Sequence, residues 1–232
     1  MKHIKDRLQQ LASRETAKIL QKFFKTGPGE YGEGDIFIGV RVPDLRELAK
    51  EFQDITTPEV MALLTSSIHE ERFLALLILV RNFASGDEIE KGKIYDLYLE
   101  NTSYINSWDL VDGSAYHIVG VFLMDKNKAS LYRLAKSENL WERRIAVVST
   151  FYFIKNDQFQ ETLKIAEILL TDPEDLIHKA VGWMLREIGK RDRVAEETFL
   201  KKHSIKMPRT MLRYAIEKFP EPKRQRYLKG KI

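Results

Sequence analysis

Cysteine is absent from this sequence of 232 residues. That excludes a disulfide framework and every thiolate metal site, and it fits a reducing compartment. Proline and glycine are scarce, at seven and twelve residues, and many fall between apolar runs rather than inside them. Long hydrophobic runs are missing too: stretches such as Leu74 to Val80 are far too short to span a bilayer. The opening residues, Met1-Lys2-His3-Ile4-Lys5-Asp6-Arg7, pass straight into an amphipathic pattern without the apolar centre of a signal peptide. No membrane association and a cytoplasmic location are the expectation. The five histidines, His3, His69, His117, His178 and His203, show no metal-binding spacing, so no metal site is expected. The glycines of residues 27–34 fit neither a phosphate loop nor a dinucleotide fingerprint. No activated serine nucleophile is recognisable, and no cofactor is implied.

What is present is the balance of a globular chain, with 44% apolar and 31% charged residues. The formal charge of +4 is modest but unevenly spread. Residues 201–232 hold eleven Lys or Arg against two Glu, while the preceding 200 residues hold 27 basic and 32 acidic side chains. Such asymmetry fits a C-terminal region that faces a polyanion. A solubilising cap on the last helices would give the same count.

Residues 3–23 carry one apolar stripe of helical period, through Ile4, Leu8, Leu11, Ala12, Ile19, Leu20 and Phe23. Four glycines and a proline within residues 26–34 then open the one long irregular loop, 26–40. Beyond it, Thr57-Pro58-Glu59 reads as an N-cap, a first-turn proline and a first-turn acid. Helices are expected near 58–65, 69–84, 87–102, 106–124, 127–136, 139–154, 157–169, 174–190, 192–202, 208–217 and 221–229, with short separators and essentially no sheet. No linker interrupts them, so 1–232 reads as a single domain. His69-Glu70-Glu71-Arg72-Phe73-Leu74-Ala75 aligns with Trp141-Glu142-Arg143-Arg144-Ile145-Ala146-Val147, which pairs Arg72 with Arg144. Leu176 to Trp183 follows about 35 residues later. A period near 36 is that of stacked helix pairs, a curved α-α superhelix of HEAT-like repeats.

Equivalent helices of such a stack line one long face, and polar or aromatic side chains on it are available to a large partner. Trp108 and Asp112 are four apart and share a helix face, with Asp109 flanking it. A carboxylate beside an indole suits a planar cation. The same three residues also fit a core indole, a first-turn acid and an inter-repeat ion pair. One of Arg143 and Arg144 must point away from the core, where a guanidinium could meet phosphate or bridge to the next repeat. Gly182, inside a helix beside Trp183, implies close packing or clearance for a neighbour. Lys179 and Arg186 flank it.

Three motifs in order and spacing, Ser107-Trp108-Asp109-Leu110-Val111-Asp112, Leu140-Trp141-Glu142-Arg143-Arg144-Ile145-Ala146 and Lys179-Ala180-Val181-Gly182-Trp183-Met184-Leu185-Arg186-Glu187, resemble the DNA alkylation repair family of HEAT-like-repeat alkylpurine DNA glycosylases. Gly39-Val40-Arg41-Val42-Pro43-Asp44-Leu45-Arg46 adds weaker support, and the likeness covers nearly the whole chain. It implies that Asp112 is similar to the family's catalytic aspartate, with Trp108, Arg144 and Trp183 resembling the residues that accompany it. An aromatic side chain at the end of the first helix matches either Phe23 or Phe24. Some members carry two adjacent tryptophans before the first aspartate; here the earlier position is Ser107. Asp109, Arg143, Lys179 and Arg186, with Lys206, Arg209 and Arg213 of the basic C-terminal segment, are the further expected DNA contacts.

The implied activity is hydrolysis of the N-glycosidic bond of 3-methyladenine or 7-methylguanine in duplex DNA; a monomer associated with the nucleoid is the simpler expectation. The chemistry is sensible for such a site. An alkylated purine of this kind is already cationic and departs neutral without a general acid. What remains is to stabilise positive charge growing on the sugar and to place a water, and one carboxylate serves both. Indole faces attract cations, and a guanidinium can hold a phosphate. Two other readings compete: a non-catalytic binder of unusual DNA structure, and a protein-interaction scaffold, for which an acidic or apolar groove is expected instead of a basic one.

Overall fold

Apolar side chains at helical spacing and polar residues at helix starts produce the elements nearly where the pattern puts them. The structure, a computed structural model, describes residues 1–231. It is all-α: among these residues the only extended pairing is one isolated parallel bridge between Ile36 and Ile68. The expected helical-repeat fold is borne out. The chain packs as two compact units, Met1–Ser114 and Ala115–Ile232.

The first unit holds α1 (Lys2–Leu11), α2 (Arg14–Phe23), α3 (Val42–Glu51), α4 (Thr57–Leu64), α5 (His69–Ser85), α6 (Glu88–Glu100) and α7 (Trp108–Asp112). Helices α3 and α4 both pack along α5, whose Leu74, Ala75, Leu76 and Ile78 are fully buried. A helix apolar on all sides belongs in the interior. Asp87 starts α6 by accepting the Ile89 and Glu90 amides, each at 2.9 Å, while Glu90 accepts the Asp87 amide at 3.1 Å. This reciprocal cap fixes the start of the helix.

Two expectations for this unit are corrected. The stripe over 3–23 is broken into α1 and α2 at Ala12-Ser13. Ser13 caps α2 by accepting the Thr16 amide at 3.3 Å, and its own N–H goes out to the Ile38 carbonyl at 3.0 Å. Gly39 permits that crossing. Its φ is +85°, and a Cβ there would lie 2.1 Å from the Ser13 carbonyl oxygen; only glycine fits both demands. The cap of α4 is Thr56, one residue before the expected Thr57, with Glu59 accepting the Thr56 amide at 3.0 Å.

The second unit contains a π-helical turn (Tyr116–Gly120), α8 (Val121–Leu123), α9 (Ala129–Ala135), α10 (Leu140–Ser149), α11 (Phe151–Lys155), α12 (Gln160–Ile168), α13 (Asp175–Arg191), α14 (Arg193–His203), α15 (Arg209–Ala215) and α16 (Glu221–Leu228). Here α10 packs on α9 and α13, and α13 on α14 and α15. Asn139 and Asp192 cap α10 and α13's successor α14 through their side chains. The runs expected at 106–124 and 139–154 are each interrupted. Ser114 donates its hydroxyl to the Leu110 carbonyl at 2.5 Å, and Thr150 donates to Val147 at 2.6 Å. Hydroxyls that take helix carbonyls compete with the backbone ladder and bend it.

The repeat register shifts by one residue from the sequence alignment. Arg72 Nη1 donates to the Ser66 carbonyl at 3.0 Å, Arg143 Nη1 to Ser137 at 3.0 Å, and His178 Nε2 to Asp172 at 2.5 Å. Each is a basic side chain near the start of α5, α10 or α13 that reaches six residues back. The equivalent of Arg72 is therefore Arg143, not Arg144.

Candidate active site

The first turn of α5, His69-Glu70-Glu71-Arg72, is buried throughout, no residue being more than 4% exposed. Ionisable groups at such depth are tolerated only when paired or hydrogen-bonded, and between them these four hold three parts of the first unit. Glu70 Oε1 accepts the Gly39 amide at 2.7 Å and both its oxygens lie 3.1 Å from the Ile38 amide. Glu71 pairs with Lys5 of α1 at 3.1 Å. Arg72 Nη2 donates to Asp35 Oδ1 at 2.6 Å. His69 Nδ1 lies 2.9 Å from Asp35 Oδ2 and its Nε2 lies 2.8 Å from Asp109 Oδ2. The irregular loop, α1 and α7 are all anchored on one helical turn.

Burial alone would lower the His69 pKa, but hydrogen bonds to Asp109 and Asp35, with their charges, raise it to about 9. Burial likewise opposes ionisation of Asp35; the His69 bond and the Arg72 guanidinium outweigh it and hold that carboxyl below the usual range. Two carboxylates are thus matched by two cations. Above them the aromatic side chains form a continuous stack. Phe37 lies on His69 (4.4 Å between centroids), Phe24 on Phe37 (4.9 Å) and Trp108 on Phe24 (5.3 Å, rings 11° from parallel). Phe23 meets the Trp108 edge at 6.0 Å.

The alternative between Phe23 and Phe24 now has structural content. Phe24 is 7% exposed and belongs to the core that supports Trp108, whereas Phe23 is 62% exposed. Trp108 and Asp112 lie on α7, half-buried, with Ser107 buried before them. Asp109 on the same short helix is turned inward to His69. Below α7, the fully buried Tyr98 hydroxyl donates to Ser114 Oγ at 2.9 Å. Burial, with the Asp112 charge adding to it, pushes that phenol well above its ordinary pKa.

In the second unit, Arg143 is occupied by protein. Its Nε donates to Asp172 Oδ2 at 2.6 Å and its Nη1 to the Ser137 and Glu138 carbonyls at 3.0 and 2.9 Å. This is the inter-repeat bridge that sequence left as an alternative. Arg144 is 5% exposed and donates from Nη1 to the Leu176 carbonyl at 2.6 Å. Trp183, half-buried on α13, meets Phe151 at 5.6 Å, and Phe151 meets Tyr116 at 5.3 Å. Gly182 serves close packing: a Cβ would lie 2.5 Å from both the Met211 carbonyl oxygen and Tyr214 Cβ of α15. Lys179 pairs with Asp175 at 2.8 Å and Arg186 with Glu217. Lys206, Arg209 and Arg213 are exposed, Arg209 also donating to the Leu228 carbonyl at 2.8 Å.

A concavity of about 580 Å³ in the first unit, lined by Gln53, Leu79, Asn82, Glu90, Lys93 and Leu97, contains none of the candidate residues. Among the described residues, no group of three or more His, Asp or Glu has metal-ligating geometry, and no helix is long and apolar enough to cross a membrane. Sequence reasoning missed Asp35, His69, Arg72 and Phe37. His69-Glu70-Glu71-Arg72 was visible as a charged run ahead of an apolar one, but nothing in it announced burial.

The model of a family described as DNA alkylation repair enzyme matches residues 4–219. The chain belongs to that family. Among solved structures, the chain is similar to a protein described as a predicted DNA alkylation repair enzyme from Enterococcus faecalis. The TM-score is 0.70 at 19% identity, over 90% of this chain and 97% of the other. At that identity the match speaks for a shared fold. No curated protein matches the sequence. Family membership makes this a DNA alkylation repair enzyme of the HEAT-like all-α kind.

Proposed function

We propose that the protein is a monofunctional alkylpurine DNA glycosylase that binds duplex DNA as a monomer and excises cationic bases such as 3-methyladenine and 7-methylguanine. The observation that carries this reading is the internal pairing of one of the two acids of α7. Of its two acids, Asp109 is neutralised from inside by His69 at 2.8 Å. Asp112, one helical turn beyond Trp108, is the acid that the family resemblance assigns to catalysis. Trp108, backed by the Phe24 stack at 5.3 Å, offers an indole beside it.

In the reaction, the bond from C1′ to the purine nitrogen breaks and its electron pair goes to the cationic base, which leaves neutral. Charge that builds on the sugar is met by the Asp112 carboxylate, and a water adds to C1′ and releases its proton to solvent. Electrostatic stabilisation of this kind is commonly the largest catalytic contribution. The exposed Phe23 and the Trp108 face would contact the damaged nucleotide, where a cationic ring is attracted to an indole. Roles for Arg144 and Trp183 rest on the resemblance, with phosphate contacts supplied by Lys206, Arg209 and Arg213.

The test is release of free methylated base from methylated duplex DNA by the wild-type chain and by Asp112→Asn. Release by the wild type and a loss of about 100-fold or more in the variant are expected. Full release by the Asn variant would sink the assignment of Asp112. No release by either, with duplex binding intact, would favour the non-catalytic binder.

A further inference from the structure

Helix α7 is only five residues long, too short to hold its own geometry in water. On the proposed reading it nevertheless carries Trp108 and Asp112, so its pose has to be fixed from outside. Asp109 provides the handle. Its carboxylate receives His69 Nε2 at 2.8 Å, and the other ring nitrogen faces Asp35 at 2.9 Å. While both carboxylates are ionised they only accept, so both ring nitrogens donate and the ring is an imidazolium. We propose that His69 is a positioning residue: charged and bound at both nitrogens, it fastens the loop at Asp35 to the start of α7 and thereby sets the pose of Trp108 and Asp112.

The groups that face the ring come from every element packed around it. Asp35 comes from the loop and Asp109 from α7, while Arg72 of α5 acts on the ring through Asp35 at 2.6 Å. Glu70, next in sequence, is turned away to the Ile38 and Gly39 amides. Phe37 and Phe24 cover the ring at 4.4 and 5.1 Å between centroids. If His69 loses its proton, the cluster becomes one charge negative and sets a nitrogen lone pair against a carboxylate. The pKa of His69, raised to about 9 from the ordinary 6.5, fits this. The clamp is complete below the ordinary value and is lost as pH rises through about 9.

The effect on rate rests on the glycosylase reading, whereas the clamp itself does not, and the experiment separates them. In 15N-histidine spectra of the full chain at mildly alkaline pH, His69 should show both nitrogens protonated. A neutral ring there overturns the proposal. Single-turnover excision should fall as pH passes about 9. His69→Gln should lose about 100-fold in rate at neutral pH, as displaced catalytic groups do, with duplex affinity unchanged. His69→Arg, a cation that does not titrate in this range, should recover part of the rate without the alkaline fall. Wild-type rates in His69→Gln would overturn the positioning role. Should the wild type excise nothing, the glycosylase reading fails and tryptophan emission decides the clamp. A change centred near pH 9, absent from both His69→Gln and Trp108→Phe, supports the proposal; a flat response overturns it.

Discussion

Replacing Glu196 by glutamine should stabilise the protein in mildly alkaline solution and flatten its stability against pH. Glu196 lies on α14 with 1% of its surface exposed. Its Oε2 sits against Gly189 of α13, where a Cβ would meet it at 1.7 Å, and its Oε1 has no hydrogen-bond partner. Arg193 approaches at 3.3 Å but is itself 38% exposed and lies over the Phe219 ring. Burial therefore dominates and pushes the carboxyl up to about 8; Arg193 pulls it down and the Glu197 charge adds to the rise. An acid with a raised folded-state pKa binds its proton more tightly when folded. Its contribution is complete below the ordinary value near 4.5 and is lost as pH climbs through about 8. At about 1.4 kcal/mol per pKa unit, the wild type should lose on the order of 4 kcal/mol relative to Glu196→Gln between mildly acid pH and about 8. Urea unfolding of both proteins across that range measures the difference, in which other titrating groups cancel. Parallel profiles for wild type and variant would refute the reasoning.

Two further substitutions test packing in the second unit. Gly182→Ala brings a Cβ within 2.5 Å of a backbone oxygen of α15, which cannot rotate away. The overpacking cost of about 1–3 kcal/mol exceeds the gain in helix propensity of about 1 kcal/mol, and a lower Tm is expected in calorimetry; an unchanged or higher Tm would show that α13 and α15 separate freely. Arg143→Ala leaves the Asp172 carboxylate, 4% exposed, with the Glu174 amide at 2.9 Å but without the guanidinium now bonded at 2.6 Å, and should cost about 3–5 kcal/mol. Equilibrium unfolding reads that loss, and a cost under about 1 kcal/mol would return Arg143 to the class of surface cations.

Helix positions were legible because their determinants are local. Asp87, Asn139 and Asp192 cap the helices that the apolar period places after them. What the sequence concealed was set by tertiary contact. Nothing local distinguishes Ala12-Ser13 from a continuing helix; the break exists because residues 38–39 cross there, and Gly39 is more than twenty residues away. Thr150 could equally have faced water and left its helix straight. In the same way, Arg72 aligns with Arg144 by neighbouring letters, yet the carbonyl six residues back selects Arg143.

The site was legible in a different proportion. The motif around Asp112 pointed to a family that the match over residues 4–219 bears out, but residue spacing alone could not rank the two acids of α7. That ranking depends on His69, 40 residues upstream of Asp109, and on Asp35, a further 34 upstream. A search for clustered histidines passes over it, because a lone histidine between two distant acids has no sequence spacing of its own. The physical signal is instead a mismatch of class. Four consecutive ionisable residues, His69 to Arg72, open a helix whose next residues are wholly apolar and buried. A helix start of that kind either faces water or is neutralised by other segments, and α5 is too deeply packed for the first. Paired charges at such depth contribute little net stability compared with apolar residues of the same volume. They do fix orientation, since each bond at 2.6–2.9 Å admits one partner geometry. On the proposed reading, a five-residue helix has to present an indole and an acid in one pose, and that property serves this need where an apolar contact would not.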